Sequence, residues 1–226
     1  MEPASTVFER LKAPSRDAWM SYIDHAFVRQ LAAGTLPEPC FRHYLTQDYL
    51  FLIHFARAYG LAAFKAETLD DLRAAAAALA ALADDEMTLH VRFCAGWGLN
   101  EVAMAGTEEA EATIAYTRYV LERGLAGDLL DLYVALAPCI VGYAEIGRRL
   151  SDDPTTRFDG NPYRDWIEMY AADDYQAVAR GHIHQLGILM ARRGGDNRWP
   201  ALVATFRQAT RLERAFWDMG LNPPQR

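Results

Sequence analysis

Cysteine is scarce in this chain, and the signs of β-structure are nearly absent. Three cysteines in 226 residues, Cys40, Cys94 and Cys139, are too few and too scattered for a disulfide framework or a zinc knuckle. An odd, small set of thiols suits a reducing compartment, where free cysteine persists. With only 15 Gly and 10 Pro, collagen-like and low-complexity classes are excluded. No Asn-Gly or Asp-Gly pair stands between alternating apolar runs, so hairpins are not expected. Basic residues are outnumbered: 23 Lys and Arg against 30 Asp and Glu leave a formal charge of −7. Such a surface repels phosphate backbones, and no concentrated basic patch offsets it, so neither a nucleic acid nor an acidic membrane surface is an expected partner. The longest Ala/Leu run, Ala74 to Ala83, is half of the roughly 20 residues a membrane span requires. The N-terminus meets Glu9, Arg10, Lys12, Arg16 and Asp17 early, unlike a secretory signal. A soluble, cytoplasmic protein is the expectation.

What is present is apolar content of 51%, ample for a packed core, laid out with helical spacing. A first helical stretch is expected from Val7 to Ala32, interrupted at Pro14 and closed by Gly34 as a C-cap. Pro37 and Pro39 open a second, Glu38 to Lys65. Thr68 and Asp71 resemble a capping box that starts an Ala-rich helix reaching Gly96. After a loop from Gly96 to Gly106, Thr107 is expected to cap an acidic first turn (Glu108, Glu109, Glu111) of a helix ending near Arg123. Asp128 opens the next, to Leu150, with Pro138 inside it. Pro162–Tyr170, Asp173–Arg193 and Trp199–Met219 complete an all-α, single-domain bundle of roughly seven main helices spanning residues 1–226.

Three side chains stand out against that background. Cys139 follows a proline that kinks an otherwise apolar helix, and Tyr143 lies one turn further on the same face. The plain alternative is a small buried hydrophobe beside a tolerated kink. Asp48 sits on the aromatic face of the second helix with Tyr44, Phe51 and Phe55, where a carboxylate is costly unless hydrogen-bonded. It is either a structural bond or a ligand contact. Glu213 has Phe216 and Trp217 at i+3 and i+4. A carboxyl among aromatics is pushed towards its neutral form, which suits a proton donor, and an ion pair to Arg211 or Arg214 would need them on another face. The histidines compete for attention. Glu86 and His90 are spaced i,i+4, but His182 and His184 face apart on one helix, so a metal centre is not expected. His25, His43 and His54 show no partner, and the rings of Tyr116, Trp166, Tyr170 and Trp217 default to core packing.

The residues also carry a family likeness along nearly the whole chain. His25-Ala26-Phe27-Val28 precedes Gly34-Thr35-Leu36-Pro37, and Tyr44-Leu45-Thr46-Gln47-Asp48 runs on to His54-Phe55-Ala56. Next come Glu86 with His90, Ala115-Tyr116-Thr117, and Pro138-Cys139 with Tyr143 to Gly147. Tyr163, Trp166, Ile167 and Tyr170 follow, then Glu213, Phe216, Trp217 and Met219. In this order and spacing the chain resembles the TenA family, the thiaminase II-like aminopyrimidine hydrolases on the haem-oxygenase-like fold. The resemblance implies a nucleophilic Cys139, an acidic partner in Glu213 and a pyrimidine-binding carboxylate in Asp48. It also implies ring contacts from Phe51, Tyr116, Tyr143, Tyr170 and Phe216, a homotetramer, and no metal or other cofactor. Phe51 stands where many relatives have Tyr, Ala26 replaces a frequent Pro, and Ala112-Thr113-Ile114 replaces a Pro-Thr-Thr-like lead-in. These departures leave the attacking group in place and bear on the leaving group. Of the two expected substrates, 4-amino-5-aminomethyl-2-methylpyrimidine is favoured over thiamin, because it needs only the pyrimidine pocket. The alternative is a metal-dependent oxidase or a ligand-binding protein of the same fold.

Overall fold

The computed structural model describes residues 4–83 and 87–224, and among these every regular element is a helix. In chain order they are α1 (Ala4–Lys12), α2 (Arg16–Ile23), α3 (Ala26–Ala33), α4 (Glu38–Lys65), α5 (Leu69–Ala81) and α6 (Met87–Ala95). There follow α7 (Glu101–Ala105), α8 (Glu111–Ala126), α9 (Leu129–Asp152), α10 (Arg164–Ala171), α11 (Asp173–Arg193) and α12 (Trp199–Leu221).

The centre of the molecule is α9, which packs on α8, α10, α11 and α12. Its start is set by a reciprocal cap. The Asp128 side chain accepts from the Leu130 and Asp131 amides, and the Asp128 amide donates to Asp131 at 2.8 Å. By length and composition α9 could cross a membrane, but 89% of its most apolar window is buried inside the protein. It is a core helix. The long helix α4 opens with Pro39 in its first turn, where a missing N–H costs nothing. At its far end the Lys65 ammonium donates to the Gly127 carbonyl at 2.8 Å, tying the C-terminal end of α4 to that of α8.

The expected first helix is divided in three. The Pro14 turn (Ala13–Ser15) separates α1 from α2, and a second break follows at Asp24. There His25 caps α3, its Nδ1 accepting from the Phe27 amide, and Gly34 ends α3 in the left-handed region at φ 67°. Thr68 caps α5 as expected, yet the Asp71 carboxylate is turned across to α11, where Gln185 and Arg192 each donate to it at 2.6 Å. Of the expected Ala-rich helix, α5 runs to Ala81 and α6 begins at Met87. Two expectations fail between α6 and α8. The Gly96–Gly106 loop contains the short helix α7, and Thr107 does not cap α8. Instead the buried Gln47 side chain on α4 accepts from the Ala110 amide at 2.8 Å and from Thr113 at 2.7 Å. Glu109, left outside the helix, pairs with Arg118 and His54.

Candidate active site

Cys139, 6% exposed, follows Pro138 inside α9, around which α2, α4, α8 and α12 pack. Tyr22 of α2 packs so closely on Gly142 that a Cβ there would lie 2.3 Å from its ring. Its hydroxyl donates to the Pro138 carbonyl at 3.4 Å, one residue from the thiol. From α8 the Tyr116 hydroxyl donates to Glu213 of α12 at 2.8 Å, both side chains being buried. Burial pushes the Tyr116 and Tyr22 hydroxyls well above the ordinary tyrosine value, and the nearby Glu213 carboxylate and Cys139 sulfur push both further. Thiol, carboxyl and two neutral hydroxyl donors therefore share one buried region. Phe51 lies against Tyr116 at 5.0 Å and Phe216 at 5.5 Å, supplying a flat wall without a hydroxyl.

A second cluster adjoins the first. Tyr44 donates to Asp48 Oδ2 at 2.9 Å, and His90 Nε2 stands 2.6 Å from the same oxygen. A tyrosine has one proton to give, so Tyr143, 3.3 Å away, must donate to the Tyr44 oxygen, as the Trp166 indole does at 3.3 Å. Tyr143 in turn contacts Tyr170, ring centres 4.8 Å apart. Burial raises both Tyr44 and Tyr143 well above the usual range. Asp48 is thus an acceptor held by a directed chain of donors.

All eight side chains singled out in the sequence, Cys139, Glu213, Asp48, Phe51, Tyr116, Tyr143, Tyr170 and Phe216, fall in this contiguous aromatic region. Sequence reasoning gave no site role to Tyr22, Tyr44 or Trp166, and weighed His90 only as a metal ligand. Tyr44 had a local signal, being four residues before Asp48 on one helix face. The other three are separated from their partners by 42 or more residues. The remaining histidines have ordinary roles. His25 Nε2 meets Asp218 at 3.1 Å, and His54 meets Glu109 at 3.0 Å. His182 is buried, meets the Tyr133 carbonyl at 3.0 Å and stacks on its ring, whereas His184 is exposed. Among the described residues no group of three His, Cys, Asp or Glu side chains forms a metal site. Glu86, paired with His90 in the sequence reading, lies outside the described residues. The other two thiols are unsuited to attack: burial pushes Cys94 up to about 11 and also raises Cys40.

Beside this region lies a largely apolar cavity of about 230 Å³ whose lining includes Tyr59, Ile140 and Tyr175. Tyr59 contacts Phe55, which stacks on Phe51, while Tyr175 contacts Tyr170 edge-on at 4.8 Å. Two ring series therefore lead from the thiol's surroundings to this cavity.

Residues 13–223 match the model of the TENA/THI-4/PQQC family. An aminopyrimidine aminohydrolase of Halalkalibacterium halodurans is 32% identical over 223 residues, covering 98% of this chain and 96% of that protein. An uncharacterized protein of Haemophilus influenzae is 40% identical over 216 residues, covering 96% and 99%. The crystal structure of a protein described as a TenA family transcription regulator, from Silicibacter sp. TM1040, superposes with a TM-score of 0.91 at 46% identity, covering 96% of this chain and 97% of that one.

Proposed function

The chain belongs to the TENA/THI-4/PQQC family, and from that premise we propose that it is a thiamin-salvage hydrolase acting on an aminopyrimidine. One observation carries the reading: Tyr116 donates to the buried Glu213 at 2.8 Å and Tyr22 donates to the Pro138 carbonyl beside Cys139, among packed aromatic rings. A thiol beside a carboxyl suits covalent catalysis on an electron-poor ring. The Cys139 sulfur adds to a ring carbon while Glu213 supplies a proton to a ring nitrogen, which takes up the displaced electron pair. That pair then expels the leaving group from the exocyclic methylene. Water adds there, the sulfur departs, and the ring is restored as 4-amino-5-hydroxymethyl-2-methylpyrimidine. Asp48 holds the ring's amino group, and Phe51, Phe216, Tyr143 and Tyr170 bound its faces.

The aminomethyl pyrimidine is the favoured substrate, since it needs only the pyrimidine pocket and Phe51 adds no polar contact. Thiamin is the second reading, favoured by the 230 Å³ cavity next to Ile140, which has room for a ring-sized leaving group. Comparing kcat/KM for the two under identical conditions decides between them. A tenfold preference for thiamin reverses the choice, and turnover of neither removes the hydrolase reading.

We also place the protein in the cytoplasm, as its free thiols suggest, and assign it a homotetrameric assembly. Supporting the assembly are the bare Phe64 (86% exposed) and Leu125 (69%), at the adjoining ends of α4 and α8, and the partly exposed Ala74–Ala83 face. Light scattering should give a mass near four times 25.4 kDa; a concentration-independent monomer overturns the assembly.

A further inference from the structure

The acceptor role of Asp48 is imposed from outside its own helix. His90 of α6 is fully buried, and its Nε2 lies 2.6 Å from Asp48 Oδ2, the oxygen that also receives the Tyr44 proton at 2.9 Å. Tyr44 in turn accepts from Tyr143 and Trp166, so the protons of these three side chains are directed towards Asp48. A separation this short is characteristic of a charge-assisted bond to a carboxylate. With Oδ2 engaged by both Tyr44 and His90, the other oxygen, Oδ1, has no hydrogen-bond partner among the described residues.

We propose that His90 is the positioning residue that donates Nε2–H to Asp48 Oδ2, holds that carboxyl group in place and turns Oδ1 to the ligand as its acceptor. This rests on the aminopyrimidine reading above and adds the source of its selectivity. A ring carrying an exocyclic amino group offers Oδ1 an N–H donor. The corresponding oxo ring offers an oxygen there, and two acceptors facing each other in a buried site are rejected far more strongly than a lost methylene would be. Without the His90 contact, Oδ2 keeps only the Tyr44 bond, so the carboxyl group can turn and Oδ1 is no longer held towards the amino group. His90 thereby sets which pyrimidine is recognised without touching it.

The test compares binding of 4-amino-5-hydroxymethyl-2-methylpyrimidine with that of its 4-oxo counterpart, in wild type, His90→Phe and His90→Gln, with melting curves and KM and kcat for the aminomethyl substrate alongside. In His90→Phe the amino-over-oxo ratio should fall at least tenfold, with KM rising at least tenfold and kcat changing less than threefold. His90→Gln, which keeps an N–H at similar reach, should hold the ratio within threefold of wild type. An unchanged ratio in a folded His90→Phe overturns the proposal and leaves the function standing. A wild type that binds neither ring overturns the function and the proposal with it. Should His90→Phe not fold, ¹⁵N NMR of the wild-type histidines decides: a protonated Nε2 on His90 is expected, and a bare Nε2 overturns the proposal.

Discussion

Removing the Tyr116 hydroxyl tests the coupling between that ring and the proposed acid. In Tyr116→Phe one buried 2.8 Å bond to Glu213 disappears while the ring, its 5.0 Å contact with Phe51 and the helix around it remain. Tyr116 is fully buried and Glu213 is 2% exposed, so water does not replace the lost donor freely. Leaving a buried acceptor without its donor costs about 1–3 kcal/mol, which corresponds to a loss in kcat/KM of about 5- to 150-fold. A double-mutant cycle isolates the pair. Glu213→Gln alone should lose more than Tyr116→Phe, and the double variant should lose little beyond Glu213→Gln. The assay is steady-state hydrolysis of the aminomethyl pyrimidine, with circular dichroism to confirm the fold. Strictly additive losses, or a Tyr116→Phe variant within twofold of wild type, refute the idea that this hydroxyl acts through Glu213.

Two predictions concern stability. A Cβ on Gly142 would stand 2.3 Å from the Tyr22 ring and 2.6 Å from its hydroxyl, so Gly142→Ala should lose about 1–3 kcal/mol in denaturant melts, together with most activity. Retained stability and rate would show that Tyr22 moves freely. Burial, only partly offset by the bond to the Tyr133 carbonyl, lowers His182 from 6.5 to about 4. As pH falls below about 6.5 the unfolded chain takes up this proton first, so stability drops until about pH 4, by up to about 3 kcal/mol. His182→Gln should flatten that part of the pH profile. Parallel profiles for wild type and variant would remove His182 as its source.

Much of the candidate site was legible as a set of side chains that violate local rules. A proline inside an apolar helix marked Cys139, and carboxylates on aromatic helix faces marked Asp48 and Glu213, since burying such groups is costly without a partner. The bounds of α4 and α11, Glu38–Lys65 and Asp173–Arg193, match the reading because proline, a Lys-terminated run and flanking breakers are all local. What was not legible depends on contacts far apart in the chain. Gln47 caps α8 from more than sixty residues away, so Thr107 was the natural but mistaken choice. Asp71 completes an i,i+3 pattern but is drawn to Arg192 and Gln185 on α11. His90 shares no helix with Asp48, and only packing of α6 on α4 brings the two together.

The most direct measurement of the central claim is the turnover of the aminomethyl pyrimidine by Cys139→Ala. The substitution exchanges one small buried side chain for another, so circular dichroism and the melting temperature should stay close to wild type. The covalent route predicts that turnover is abolished in this folded variant. Retention of more than about a tenth of the wild-type rate, a barrier change under ~1.4 kcal/mol, would contradict Cys139 as the nucleophile.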